Sequence, residues 1–347
     1  MKRIGVLFGR ENSFPGALVE RITARHIDGI EAEFVLTGAV PLETGDQARH
    51  WAQRYAVIVD RISPSVPFYR SFLMHAALGG TVVINHPFQY AADDKFFHYA
   101  MAARLGIAVP PTVILPHKRP PAGVTDRSLR NLEYPLDWEA VFGSVGEHGF
   151  LKPVDGGGGR DVHEVRNREE FFHAYDQSGS LCMMYQKAVD FSAYFRCCVV
   201  GEKNVRIMPY DPRRPHAERY LQDPPRVDRK LLRLIGQQAI QLCGALGYDF
   251  NTVEFAIENG IPYAIDFTNP VPDADPRSIG EANFDWMVEK VAALAIARAR
   301  TSRHNGTLPR PVFPGAGLAA AENAKKKAPA KRKTKNGNVP SREHPAG

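Results

Sequence analysis

The stretch Phe150-Leu151-Lys152-Pro153-Val154-Asp155-Gly156-Gly157-Gly158-Gly159-Arg160-Asp161-Val162 decides how this chain is read. An apolar run ends in a lysine and a proline and passes directly into four contiguous glycines. A strand that delivers one lysine beside a loop without side chains suits a polyphosphate: backbone amides approach its oxygens and the ammonium offsets its charge. No Gly-Lys-Ser/Thr follows the glycines, so this is not a Walker loop. They are contiguous and no helix opens on them, which also excludes the Rossmann fingerprint. Taken alone, the segment reads equally well as a flexible turn beside a surface lysine.

Downstream, Val253-Glu254-Phe255-Ala256 and Ala264-Ile265-Asp266-Phe267-Thr268-Asn269-Pro270 flank an Asn259-Gly260 turn. Each strand carries a carboxylate among apolar neighbours, and burying an unpaired carboxylate is costly. Two hard oxygen donors on one sheet face suit magnesium held together with phosphates. The pairing sets a condition. A strict two-residue Asn-Gly loop pairs Glu258 with Ile261 and Glu254 with Ile265, throwing Asp266 to the other face. A metal site therefore requires a three-residue loop or a bulge, and the alternative is an ordinary hairpin with exposed acids.

Outward from these segments, the first ninety residues alternate apolar runs (Ile4 to Phe8, Glu33 to Leu36, Val57 to Asp60, Thr81 to Asn85) with amphipathic stretches (Gly16 to Arg25, Phe68 to Leu78). That alternation predicts a small parallel α/β domain. A helix is expected from Asp93 or Asp94 to Gly106. A strand is expected over Val109 to Leu115 and a long surface loop over 116 to 135. Tyr194 to Val200 and Val205 to Met208 read as a hairpin. Leu231, Ile235, Ala239, Leu242 and Leu246 form one helix face closed by Gly247, and a last helix covers Glu281 to Arg300.

The chain of 347 residues carries 44 Lys plus Arg against 38 Asp plus Glu. From Ala319 to Gly347 eight basic residues face two acidic ones, so the tail holds the whole surplus of +6 and residues 1 to 318 are neutral. A nucleic-acid module is thereby disfavoured, with weak contact expected through the tail at most. No apolar run approaches the roughly 18 residues of a membrane span, and no signal peptide is recognised. Cys182, Cys197, Cys198 and Cys243 form no Cys-x-x-Cys pair and read as reduced thiols of a cytoplasmic protein.

The two decisive segments, with the hairpin between them, resemble the ATP-grasp superfamily and within it the RimK and glutathione-synthetase-like ligases. The resemblance runs from about Asn85 to Glu289, and five motifs fall in order. Ala92-Asp93-Asp94-Lys95 with Gly106-Ile107-Ala108-Val109-Pro110-Pro111-Thr112 resembles the family's entry motif. Leu151-Lys152-Pro153 and its glycines resemble the phosphate-covering loop. Met184-Tyr185-Gln186-Lys187-Ala188-Val189-Asp190 resembles the linker against which adenine lies. Phe195-Arg196-Cys197-Cys198-Val199-Val200-Gly201 and Glu254 with Asp266 to Asn269 resemble the last two motifs.

The resemblance implies an N-terminal α/β domain (1–90), an ATP-grasp body (91–312) with lobes at about 91–184 and 185–300, and a disordered basic tail (313–347). It implies that Lys95, Lys152 and the loop Gly156, Gly157, Gly158 and Gly159 contact the phosphates of ATP. Gln186, Lys187, Ala188 and Val189 would border the adenine and Asp190 would hold the ribose. Arg196 would stabilise the transferred phosphoryl group, and Glu254, Asp266 and Asn269 would hold one or two Mg²⁺, with Mn²⁺ as an alternative. Two departures are visible. Thr268 stands at the usual Asn spacing, so Asn269 joins only if the strand bulges, and Lys187 stands where the linker often has Glu. The implied activity is ligation of a small-molecule or peptide carboxylate to an amine or thiol. A kinase on the same scaffold, or a nucleotide-binding protein without turnover, is the alternative, and a homo-oligomer is open.

On the substrate side, Arg10-Glu11-Asn12 follows the first strand, where loops line clefts, or is a solvated turn. The arginine-rich run Pro209 to Tyr220 reads either as a carboxylate clamp or as an exposed loop, with Arg206, Arg213 and Arg214 as candidate second arginines and His216 as a loop residue.

Overall fold

The computed structural model describes residues 1–37, 54–90, 94–223 and 225–302. The expected tail at 313–347 and two residues of the entry motif, Ala92 and Asp93, lie outside the described residues.

The N-terminal domain is built from β1 (Lys2–Leu7), α1 (Phe14–Thr23), β2 (Ile30–Phe34), β3 (Val57–Asp60), α2 (Pro67–Leu78) and β4 (Val82–Ile84). Its four strands pair in parallel in the order β2-β1-β3-β4, as strand-helix alternation predicts. Alternate side chains divide between two cores. Ile4, Val6, Val57 and Val59 face α1, whereas Leu7, Ile58 and Val83 face α2.

After the single turn α3 (Pro87–Tyr90) come α4 (Lys95–Arg104), β5 (Thr112–Leu115), α5 (Trp138–Val145), β6 (Gly149–Pro153), β7 (His163–Val165), α6 (Arg168–Gln177) and β8 (Met183–Lys187). Asp94 caps α4, its Oδ1 accepting from the Phe97 amide at 2.7 Å. Gly106 ends the segment at φ +77°. The four strands form an antiparallel sheet, β5-β8-β6-β7. Helices α5 and α6 cover one face through Phe142, Phe171 and Tyr175. Neither helix follows from the sequence reading, because both are short and aromatic. The expected lobe boundary at 184/185 falls inside β8, so the chain leaves this sheet only after Lys187.

The third sheet comprises β9 (Ala193–Val200), β10 (Asn204–Pro209), β11 (Phe250–Glu258) and β12 (Ile261–Asp266), ordered β10-β9-β11-β12 and antiparallel. Helix α7 (Arg229–Leu246) covers one face and ends at Gly247 with φ +75°. After the short α8 (Pro276–Ile279), the final helix α9 (Glu281–Thr301) covers the other. Cys197 packs toward α7 and Cys198 toward α9, the opposed directions that adjacent strand residues must take. None of the four cysteines is bonded to another.

Helix α9 also packs on α1, so the N-terminal domain and the third sheet share one apolar core. Each Leu, Ile or Phe buried there contributes about 2 kcal/mol. Asn85, 1% exposed, fixes the same junction: its Nδ2 donates to the carbonyls of Phe250 and Pro270, and its Oδ1 accepts from the amides of Asp249 and Phe250. Among the described residues no helix is long and apolar enough to cross a membrane.

Candidate active site

The central and third sheets meet at β12. The amide of Ala264 on this edge strand donates to the Ala108 carbonyl at 2.9 Å. In β6 the pleat sends Leu151 into the helix-covered core, so Lys152 projects from the opposite face toward β12. Its Nζ donates to Gln186 Oε1 at 2.8 Å and to the Tyr99 hydroxyl at 3.0 Å. Lys152 is therefore not a surface lysine. Burial pulls its ammonium down to about 8, against the opposing attraction of Asp266 and Glu254.

The hairpin meets the register condition through a bulge and not through a longer loop. Its loop is the strict two-residue Asn259-Gly260, pairing Glu258 with Ile261. A bulge then places the extra residue Ile265 between the pairs Phe255–Ala264 and Glu254–Asp266. Glu254 and Asp266 thus stand opposite each other on one face. Arg196 joins them from β9, with Nε 3.2 Å from Glu254 Oε1. Tyr194 donates to Glu254 Oε2 at 2.6 Å, and Arg196 Nη1 donates to the Tyr220 hydroxyl at 3.0 Å. Burial raises the Glu254 carboxyl above its usual range; Arg196 opposes the rise and Asp266 adds to it.

Directly opposed carboxylates repel across strands, and a divalent cation would relieve this pair. Asp266 is exposed, and the Glu254 side chain is 14% exposed. Among the described residues no group of three or more His, Cys, Asp or Glu comes together. An ion here would take two carboxylates from the protein and its remaining oxygens from phosphate and water, the pattern magnesium favours. Asn269 is drawn into the cluster by its amide, which donates to Asn251 Oδ1 at 2.9 Å. In the side-chain orientation that satisfies both its ends, Oδ1 accepts from Arg196 Nη2 at 3.2 Å and from Thr252 Oγ1 at 3.0 Å. Thr268 lines a small cleft with Lys95, His98, Tyr99 and Asp266.

Lys95, the first residue of α4, is held beside the end of β6 by its amide, which donates to the Val154 carbonyl. Beyond it the glycine loop is exposed. Gly156, Gly158 and Gly159 have φ of +88°, +72° and +72°, and a Cβ on any of the four glycines would meet nothing within 4 Å. Glycine is needed here for backbone conformation, and the space above the loop is open. In the linker, Gln186 is 2% exposed and turns its side chain inward to Lys152 and Thr112. Lys187, Ala188 and Val189 follow at the end of this interior strand, where the amides of Lys187 and Ala188 donate to the carbonyls of Pro111 and His148. Asp190 is exposed beside the hairpin, its amide donating to Glu258 Oε1.

The arginine-rich run crosses this face. Tyr210 and Tyr220 form a bridge that closes it, and Arg219 Nη1 reaches the Tyr210 hydroxyl at 3.5 Å. Arg219 adds its attraction to that of Arg196 on Glu254. Of the candidates from the sequence, Arg206 bonds Asn283, and Arg213 pairs with Asp211 over the Phe191 ring. His216 is exposed in a short 3-10 turn. Glu11 is engaged by the buried Arg61, whose Nη2 also donates to the Pro272 carbonyl at 2.6 Å. Tyr99 and Tyr194 carry no motif and escape a sequence reading, whereas Arg219 and Tyr220 lie in the run that the sequence reads as a clamp or an exposed loop. Only their being aromatic and adjacent to motif positions could have hinted at Tyr99 and Tyr194.

No protein-family model matches the chain, and no curated protein matches it in sequence. Solved structures do match in fold. The ATP-grasp ligase PsnB, complexed with minimal precursor, aligns with a TM-score of 0.60 over 86% of this chain and 100% of that one, at 14% identity. A RimK-domain ATP-grasp protein from Sphaerobacter thermophilus aligns at 0.57 over 85% and 99%, at 17% identity. VanG D-Ala:D-Ser ligase from Enterococcus faecalis aligns at 0.59 over 86% and 99%, at 14% identity. The chain has the ATP-grasp fold.

Proposed function

We propose that this protein is an ATP-dependent ligase that joins a carboxylate to an amine or thiol through an acyl phosphate. The observation that carries the reading is the convergence of Lys152 from one sheet with the Arg196–Glu254–Asp266 row of another, beside a side-chain-free glycine loop. Solved relatives by fold include PsnB with minimal precursor, Mg and ADP, which supports ATP and magnesium as the cosubstrate and ion. In this reading residues 1–90 form the substrate-side domain and 91–312 the ATP-grasp body.

Lys152 and Lys95 would contact the triphosphate, and the amides of Gly156 to Gly159 would close over it. Lys187 to Val189 would border the adenine and Asp190 the ribose. Gln186 would act on the nucleotide through Lys152. Glu254 and Asp266 would hold Mg²⁺, with Asn269 fixing Arg196 at their side. When bound, the ion would neutralise charge on the phosphate oxygens. Arg196, held against Glu254 and Tyr220, would stabilise the phosphoryl group as its bond to ADP breaks and a bond to the substrate carboxylate forms. The amine or thiol then attacks the acyl carbon, phosphate leaves, and the nucleophile's proton passes to solvent. Positioning and electrostatics suffice, and no protein nucleophile is needed.

The acid belongs to a small molecule or a peptide. The fold relative PsnB, complexed with precursor peptide PsnA2, supports a peptide. Free thiols support a cytoplasmic setting. A screen of paired acids and nucleophiles for equal release of ADP and phosphate tests the reading. Phosphate retained on an acid product would make the protein a kinase, and binding of ATP with no turnover under any pair would make it a nucleotide-binding protein.

A further inference from the structure

Tyr99 is 5% exposed on α4 and sits between the central and third sheets. A phenolic hydroxyl has one proton to give and lone pairs to accept with. Here the proton goes to the Ile265 carbonyl, the closest acceptor, and a lone pair accepts from Lys152 Nζ at 3.0 Å. Gln186 Oε1, 3.3 Å from the hydroxyl, already receives Lys152. Ile265 is the extra residue of the bulge in β12, and a bulged residue loses its place in the ladder. Its carbonyl finds in Tyr99 the partner that the strand no longer supplies. The same bulge sets Asp266 opposite Glu254.

We propose that Tyr99 is a positioning residue that ties the lysine of the central sheet to the bulge of the acidic strand, so that one hydroxyl sets the spacing between the phosphate-binding lysine and the metal-binding pair. The reading rests on the proposed nucleotide site. Its bulge-pinning half stands independently of nucleotide. The ring is held separately, packed edge-on against Phe267 with centroids 5.2 Å apart. Tyr99→Phe therefore removes the hydroxyl and keeps the packing.

The test compares wild type, Tyr99→Phe, Lys152→Met and the double variant by hydrogen exchange and by MgATP calorimetry. In Tyr99→Phe, exchange over residues 262–269 should quicken by about tenfold, the order expected for one lost hydrogen bond, while β9 is unchanged. MgATP affinity should fall by about tenfold with little change in melting temperature. The losses in the double variant should be less than additive, because both substitutions remove the same hydrogen bond. Unchanged exchange at 262–269 overturns the pinning of the bulge, and strictly additive affinity losses overturn the link to Lys152. If wild type binds no MgATP, the nucleotide reading falls, and the exchange comparison still decides whether Tyr99 pins the bulge.

Discussion

Lys152 shows how burial changes what a residue does. Its amine has a folded-state pKa of about 8 against 10.5 in its unperturbed state, because desolvation outweighs the pull of Asp266 and Glu254. The ammonium therefore predominates below about pH 8 and is lost above it. MgATP affinity should be flat up to about pH 8 and then fall by as much as about tenfold per pH unit. Calorimetry across that range checks this, and a flat profile to pH 10 would remove Lys152 from the phosphate site. Lys152→Met should weaken MgATP by at least about tenfold and abolish the decline. It should change the melting temperature little, since relief of a desolvated ammonium is offset by the hydrogen bond that Gln186 Oε1 loses. The sequence alone left this residue as either a phosphate contact or a surface lysine. The choice depends on Tyr99 and Gln186, which are distant in the chain.

Among the elements, the β11–β12 hairpin combines a local signal with a tertiary one. Asn259 and Gly260 have φ of +52° and +77°, as a type I′ turn demands, and that much is legible in the dipeptide. The sequence names a bulge only as a condition of metal binding; that it forms at Ile265 is not legible there, because the Ile265 carbonyl is satisfied by a side chain from α4. Gly260→Ala should destabilise the protein by about 1 kcal/mol through left-handed backbone strain, since no atom lies within 4 Å of the added methyl. Urea denaturation should record that loss with MgATP affinity unchanged, because the bulge, not the turn, aligns Glu254 with Asp266. A large affinity loss would show that the turn also sets the register of the acids. The missed helices Trp138–Val145 and Arg168–Gln177 have the same cause as the bulge: their apolar stripes are made of Trp, Phe and Tyr that pack on one another, a contact pattern with no clear period in so few turns.

Across the whole molecule, the N-terminal domain and the third sheet behave as one packed body. They share the apolar core around α9, and Asn85 bonds four backbone groups across the junction. Asn85→Leu should leave those groups short of partners and cost about 3 kcal/mol, measured as a lower urea midpoint. A loss below about 0.5 kcal/mol would mean that the apolar core alone joins the two parts. The sequence by itself determined the parallel N-terminal sheet, the long α7 face, the glycine loop and the residues of the acidic strands, because each rests on periodicity or backbone chemistry within a short window. Only the tertiary structure decided that Lys152 is half-buried against Tyr99 and Gln186, that Glu254 faces Asp266, and that Arg196 reaches Glu254. Those outcomes depend on which sheet edge meets which helix, and no local pattern of residues carries that contact.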